Sequence, residues 1–306
     1  MKRAFSLILS VCMLAALLTG CGGKQTETPS APAEAPAAQS SAAETPAPAA
    51  GAAANRLEEI LARGYVTIAT EPYFAPYEFI DPSKQGDEQY VGADVEFMKL
   101  IAEKLGVELK IVPLDFTTVQ ASVAEGKYDL AVSALAYTAD RAENMNLSDS
   151  YFIPRDDDSG YGFVVRADLA DTVKTVADLS DKVVAVQQGS LQQFLWETYG
   201  GPCKEVKYAS STNDVFLMVS EGKADAAVTA FSFANNYINA NANCGLVLAD
   251  YAFDVEDKYL GEVVAMKKGE DELLAKINEI IAEMAASEVF YEWYDQYSQY
   301  AASLGL

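Results

Sequence analysis

The 306-residue sequence has no histidine, only 22 lysines and arginines against 45 aspartates and glutamates, and four cysteines. Each shortage excludes something. Without histidine there is no His-based catalytic triad, no histidine-ligated zinc and no imidazole base working near neutral pH. A formal net charge of −23 repels phosphate backbones, so a basic nucleic-acid-binding surface is excluded. The cysteines show no zinc-ligand spacing. The Asp156-Asp157-Asp158 run lacks the glycine and terminal glutamate of a calcium loop and reads as a solvated turn. Neither metal nor cofactor is expected.

Long apolar runs are also scarce, with one at the start. Residues 4–18 are apolar behind Lys2 and Arg3, too short to span a bilayer comfortably, and read as a secretory signal. The following Leu18-Thr19-Gly20-Cys21 resembles the bacterial lipobox, which makes residues 1–20 a removable signal peptide. Cys21 is then the lipidated residue, palmitate being a typical acyl chain. Residues 21–55 collapse to Ala, Pro, Ser, Thr, Glu and Gln, a composition that stays solvated and extended. They read as a disordered tether of roughly 100 Å at full polyproline extension. The tether holds only Lys24 against Glu27, Glu34 and Glu44, so the acidity belongs to residues 56–306.

Inside that folded part lies an internal repeat. Val119-Gln-Ala-Ser-Val-Ala-Glu-Gly-Lys-Tyr-Asp-Leu-Ala-Val-Ser-Ala-Leu135 matches Val215-Phe-Leu-Met-Val-Ser-Glu-Gly-Lys-Ala-Asp-Ala-Ala-Val-Thr-Ala-Phe231. Each copy predicts a helix ending at Glu-Gly-Lys, with Gly126 and Gly222 in the left-handed C-terminal position. A short buried strand follows, begun by Asp129 or Asp225. Before the first copy, the pattern predicts a strand over 65–70, a helix over 94–105 and a strand over 108–112. Before the second, it predicts a strand over 183–187, a helix near 191–199 and a strand near 205–209. Strand, helix, strand, helix, strand in each half builds a parallel sheet with right-handed crossovers.

Residues 161–166 look like a strand leaving the first lobe and 261–267 like one returning, a two-strand hinge. Residues 270–286 and a final aromatic helix with Tyr291, Trp293, Tyr294 and Tyr297 are expected to pack the core. The expectation is an α/β chain of two lobes, residues 56–163 with 263–306, and 164–262. A cleft lies between them at the carboxyl ends of the strands.

Gly92-Ala-Asp-Val-Glu-Phe-Met-Lys-Leu-Ile-Ala-Glu-Lys-Leu105 resembles the signature of the family 3 extracellular solute-binding proteins, with Ala93 in place of a larger apolar residue. Ala75-Pro-Tyr-Glu-Phe79, Thr138-Ala-Asp-Arg141, Val186-Gln-Gln-Gly-Ser190 and Asn278 extend the likeness across residues 56–306. The resemblance implies a type II periplasmic-binding-protein fold and a receptor for an amino-acid-like carboxylate. Such a receptor serves an ABC importer, acts as a monomer outside the cell and hands its ligand to permease subunits, here from a lipid-anchored position at the membrane.

Position by position, the resemblance implies a site. Arg141 matches the arginine that grips the ligand carboxylate, in keeping with the paired donors of a guanidinium. Ser133, Leu135, Ala136 and Thr138 match the strand-to-loop segment that meets the amino acid. Gly189, Ser190 and Leu191 match a strand-to-helix turn whose free N–H groups face the same carboxylate, although Ser190 serves equally well as an N-cap. Phe74 matches the aromatic lid and Glu71 a polar position that touches the ligand, with Phe116 as the other wall of an apolar slot. Tyr77 reads as core.

One departure stands out. Ala230 occupies the position where the resemblance implies an acid for the ligand's ammonium, and Ala136 a position where a hydroxyl is common. Either another acid such as Glu71 takes the charge, or the ligand is not an ordinary α-amino acid. Cys203 and Cys244 precede strands that the family's order places on opposite sides of a sheet, so no disulfide is expected. Two other functions share the fold. A cyclohexadienyl dehydratase acting on prephenate or arogenate needs a carboxyl acid in the cleft, for which Glu71 is the candidate. An extracellular ligand sensor is the third reading, and the absence of a further segment after Leu306 counts against it.

Overall fold

Short β-branched runs alternate with amphipathic stretches along the chain; the central runs become buried strands, while the edge strands at 108–113 and 205–209 stay partly exposed. The computed structural model describes residues 54–306; the predicted signal peptide, Cys21 and almost all of the tether lie outside the described residues. Helix α1 (Arg56–Arg63) leads into β1 (Tyr65–Thr70). The short strands β2 (Tyr73–Phe74), β3 (Glu78–Ile80) and β4 (Tyr90–Val91) form a small antiparallel sheet that the hydrophobic pattern did not announce. Then come α2 (Ala93–Leu105), β5 (Glu108–Pro113), α3 (Phe116–Ala124), β6 (Leu130–Ala131), α4 (Ala139–Asn144) and β7 (Met145–Phe152).

The chain then crosses to β8 (Tyr161–Arg166), β9 (Val183–Gln187), α5 (Leu191–Tyr199), β10 (Glu205–Ala209), α6 (Thr212–Ser220), β11 (Ala226–Ala230), α7 (Phe231–Ala240) and β12 (Leu246–Ala252). It returns through β13 (Glu262–Lys267) and ends in α8 (Asp271–Ala285) and α9 (Val289–Leu304).

Two five-stranded sheets result, ordered β5-β1-β6-β13-β7 and β10-β9-β11-β8-β12. In each, three parallel strands are followed by an antiparallel strand that has just arrived from the other lobe. The repeat is the reason for this symmetry: its offset carries the bounds of α3 onto α6, Phe116 to Thr212 and Ala124 to Ser220. Gly126 and Gly222 adopt φ of 77° and 71° after those helices, a region open to glycine at little cost. Asp129 and Asp225 stand just outside β6 and β11 rather than within them. Each carboxylate accepts the backbone N–H of the neighbouring strand, from Thr67 at 2.7 Å and from Val183 at 2.9 Å, which locks the two strands in register.

Of the late aromatic residues expected in the core, Tyr294 is buried, and Tyr291, Trp293 and Tyr297 are half-buried against it or its neighbours. Phe290 and Tyr294 of α9 are buried against Phe152, with ring centroids 4.7 and 5.0 Å away. Strands β10 and β12, which Cys203 and Cys244 precede, sit at opposite edges of their sheet, about 19 Å apart at the usual strand spacing. Both thiols are free.

Candidate functional site between the lobes

The loops at the carboxyl ends of β1, β6, β9 and β11 converge where the two sheets meet. The loop after β6 is held from below. Gly92, at φ 137°, caps α2 so closely that an added Cβ would sit 2.0 Å from the Tyr77 carbonyl oxygen. That approach sends Asp94 inward, where its carboxylate accepts the Ala134 N–H at 2.8 Å and the Tyr151 hydroxyl at 2.9 Å. Ala134 is thereby held at φ 42°. The Ser133 hydroxyl accepts the Glu71 N–H and donates to Glu78, at 2.9 and 3.0 Å. Ser133 therefore shapes the loop from beneath, with its hydroxyl turned away from the cleft. Thr138 acts as N-cap of α4, accepting the Arg141 N–H at 3.2 Å.

Capping at Thr138 aims Arg141 back into the cleft, where only 5% of it is exposed. Its guanidinium donates to the Gln120 side-chain oxygen at 2.8 Å, to the Ala136 carbonyl and, across the cleft, to the Gly189 carbonyl at 2.9 Å. The Phe116 ring lies 5.5 Å from it. Burial lowers the guanidinium to about 10, so it keeps its charge at neutral pH. Its partners are all neutral oxygens, which leaves the charge available to an anion.

A small, partly open cavity of about 20 Å³ lies beside this arginine, room for about one water. Phe74, Phe116, Ala134, Ala136, Arg141, Tyr161, Leu191, Gln192, Ala230 and Glu262 line it. The structure thus brings six of the predicted positions together around one space. Leu135 is packed in the core beneath. Glu71 lies apart, bordering an open depression of about 570 Å³ with Asp115, Ser211 and Asp214. Burial pushes its carboxyl up to about 8, and Gln187 donates to it at 3.3 Å.

The turn after β9 is less open than expected. The Gly189 N–H is taken by the Gln193 side chain at 2.8 Å, and the Ser190 N–H points to the Gln187 carbonyl at 3.4 Å. The Ser190 hydroxyl caps α5, accepting the Gln193 N–H at 3.1 Å. It is the carbonyl of Gly189 that faces Arg141.

The lobes are in contact across the cleft. Phe74 stacks on Phe233 of α7 with centroids 4.5 Å apart and planes 8° off parallel. Asn213 donates to the Tyr73 carbonyl at 3.0 Å, and Gln120 to the Gly189 carbonyl at 3.2 Å.

Sequence reasoning missed Phe233, Tyr161, Gln192 and above all Glu262. Glu262 opens β13, where the backbones of Ala136 and Glu262 form an isolated bridge and the Val263 N–H reaches the Leu135 carbonyl at 2.7 Å. Together with the pairing of Glu262 to Phe152 of β7, this long-range contact carries the acid into the cleft. Only 7% of it is exposed, and burial pushes its carboxyl up to about 8. A charged residue heading an otherwise apolar strand, Glu-Val-Val-Ala-Met, was the one available signal.

The family described as bacterial extracellular solute-binding proteins, family 3, matches residues 66–300. The arginine-binding extracellular protein ArtP of Bacillus subtilis is 27% identical over 222 residues, covering 71% of this chain and 79% of that protein. An amino acid ABC transporter substrate-binding protein, AbpA from Streptococcus pneumoniae, solved with bound L-arginine, superposes with a TM-score of 0.71 at 29% identity, covering 79% of this chain and 98% of that one. An ancestral amino-acid-binding protein, described as a precursor of cyclohexadienyl dehydratase, superposes with a TM-score of 0.67 at 27% identity, over 79% of this chain and 98% of that one.

Proposed function

The chain belongs to the family 3 bacterial extracellular solute-binding proteins, and from that premise we propose that it captures an amino acid or amino-acid-like carboxylate between its lobes for an ABC importer. One observation carries the reading: a buried, charged Arg141, bonded only to neutral oxygens, reaches across the cleft to Gly189 beside a small cavity. A ligand carboxylate replacing the Gly189 or Gln120 oxygen gains two parallel charge-assisted bonds. The cavity is too small for an amino acid, so the lobes must part to admit one and close again around it, and affinity then reflects preference for the closed state.

Phe74, Phe116, Ala136, Leu191 and Ala230 line the apolar part of the site, and Glu71, Ser133, Leu135, Thr138, Gly189 and Ser190 support its loops. Outside the cell the receptor is held by a lipid at Cys21, behind a cleaved signal peptide and ahead of the Ala- and Pro-rich tether, and it works as a monomer by binding and closing rather than by catalysis. Among the described residues no helix is long and apolar enough to cross a membrane.

The test is a thermal-shift screen of the purified protein against an amino-acid panel. Stabilisation by at least one carboxylate ligand, lost in Arg141→Ala, is the expected result; no response to any member, or an undiminished response in the variant, overturns the assignment. A dehydratase reading has one observation in its favour, the buried carboxyl of Glu262 beside Arg141, protonated below about 8. Incubation with prephenate tests it, and formation of phenylpyruvate would replace the receptor reading.

A further inference from the structure

Glu262 is an acid without a partner. Among the described residues neither of its carboxylate oxygens accepts a hydrogen bond, and Oε2 is fully buried and unsatisfied. Several neighbouring donors are turned to other acceptors. Three of the five Arg141 N–H groups go to Gln120, Ala136 and Gly189, the Tyr161 hydroxyl donates to the Tyr259 carbonyl at 2.9 Å, and the Tyr151 hydroxyl donates to Asp94, while the Tyr77 hydroxyl is itself buried without a partner. The cavity it lines presents methyl groups from Ala134, Ala136 and Ala230, which offer nothing to a carboxylate. A buried carboxyl with empty lone pairs is destabilising, and such groups in native proteins call for an explanation.

Resting on the receptor reading above, the geometry points to Glu262 as the residue that receives the ligand's cation, so that the ligand is a zwitterion held by Arg141 at its carboxylate and by Glu262 at its ammonium. An ammonium has three donors for the two empty oxygens. The cavity contains no second acid, and Ala230 leaves the space through which an ammonium reaches β13. Both charge-recognising residues then belong to the first sheet's lobe, Arg141 on α4 and Glu262 on β13. The ligand is read by one lobe while the cleft is open, and the second lobe contributes Leu191, Gln192 and Ala230 as a cap on closing.

The experiment pairs zwitterions with the carboxylates that lack only the ammonium: glycine with acetate, L-alanine with propionate, L-arginine with 5-guanidinopentanoate. Dissociation constants for the full chain are measured by calorimetry, alongside Glu262→Gln, Glu262→Asp and Glu262→Gln combined with Ala230→Asp. At least one pair should show the zwitterion favoured by about 10- to 100-fold. That preference should shrink toward unity in Glu262→Gln, fall partway in Glu262→Asp, and return when Ala230→Asp restores an acid to the opposite wall. A structural role for Glu262 moves the melting temperature but not the ratio within a pair. An unchanged ratio in Glu262→Gln, or no discrimination by the wild-type protein, overturns the assignment while leaving Arg141 in place. Should Glu262→Gln not fold, an undiminished ratio in Glu262→Asp overturns it. Binding of none of the six compounds removes the receptor reading for these ligands and the assignment with it.

Discussion

Replacing Glu71 by glutamine separates a buried acid's effect on stability from any role in binding. Glu71 is 3% exposed, and burial raises its carboxyl to about 8 from an ordinary 4.5, with Asp115 and Asp214 adding to the effect and only Gln187 opposing it. Between those two values the folded protein keeps a proton that the unfolded chain has released. The group's contribution to stability is therefore complete below 4.5 and is lost as pH rises toward 8, at about 1.4 kcal/mol per pH unit. By pH 7 the loss amounts to about 3 kcal/mol. Glutamine keeps the shape, still accepts from Gln187 and has nothing to ionise. Glu71→Gln should melt with the wild type at pH 4.5 and above it by roughly 6–12 °C at pH 7, taking about 2–4 °C per kcal/mol for a domain of this size. Scanning calorimetry of both proteins without ligand from pH 4.5 to 8.5 reads the gap directly. Glu262 and Asp94, raised to about 8 and about 6, leave a residual decline in both curves. A gap that does not vary with pH, or a variant less stable at pH 7, refutes the reasoning.

Two further outcomes follow. Affinity for a zwitterion should rise with pH, by at most about tenfold per unit, and level off above about 8, because Glu262 must shed its proton to receive an ammonium. Arg141 favours that loss and Asp94 opposes it, while Tyr77, Tyr151 and Tyr161 around it stay protonated, their hydroxyls all raised by burial. Calorimetry in buffers of different ionisation enthalpy should show proton release, absent in Glu262→Gln; a flat profile contradicts the linkage. Gly92→Ala forces a Cβ into the Tyr77 carbonyl at a φ that side chains rarely adopt. It should cost about 3 kcal/mol or more and loosen Asp94 from Ala134, seen as a lower melting temperature and weaker ligand response; a shift under about 2 °C contradicts it.

Much of the architecture was legible because it is written in local patterns. The repeat around Glu-Gly-Lys determined two matching helix-strand units, since an amphipathic helix ended by a left-handed glycine and followed by a short apolar run has few other ways to bury itself. The β2–β4 sheet was not legible: Tyr73–Phe74 and Tyr90–Val91 are too short to show a period, and they come together through β3, with α6 packed on β2 and with α2 and α9 on β3 and β4. The position of Arg141 came from its motif, whereas its partners are set by the crossing of α4 over the β9 turn. Ser133 and Thr138 carry hydroxyls in the expected places, yet the backbone of their loop needed those hydroxyls more than the cleft did.

The sequence by itself determined the class of protein: an acidic, histidine-free, exported-looking chain of two similar α/β halves, with an arginine placed to hold a carboxylate. Only the tertiary structure decided which acid shares that cleft. Ala230 and Glu71 were the positions that local correspondence brought forward, and neither supplies a carboxylate to the cavity. Glu262 enters it from a strand 121 residues beyond Arg141 in the chain, set there by backbone pairing with Ala136 and with Phe152. Periodicity cannot show such a contact, because it arises from strand order in the finished sheet and not from the residues on either side.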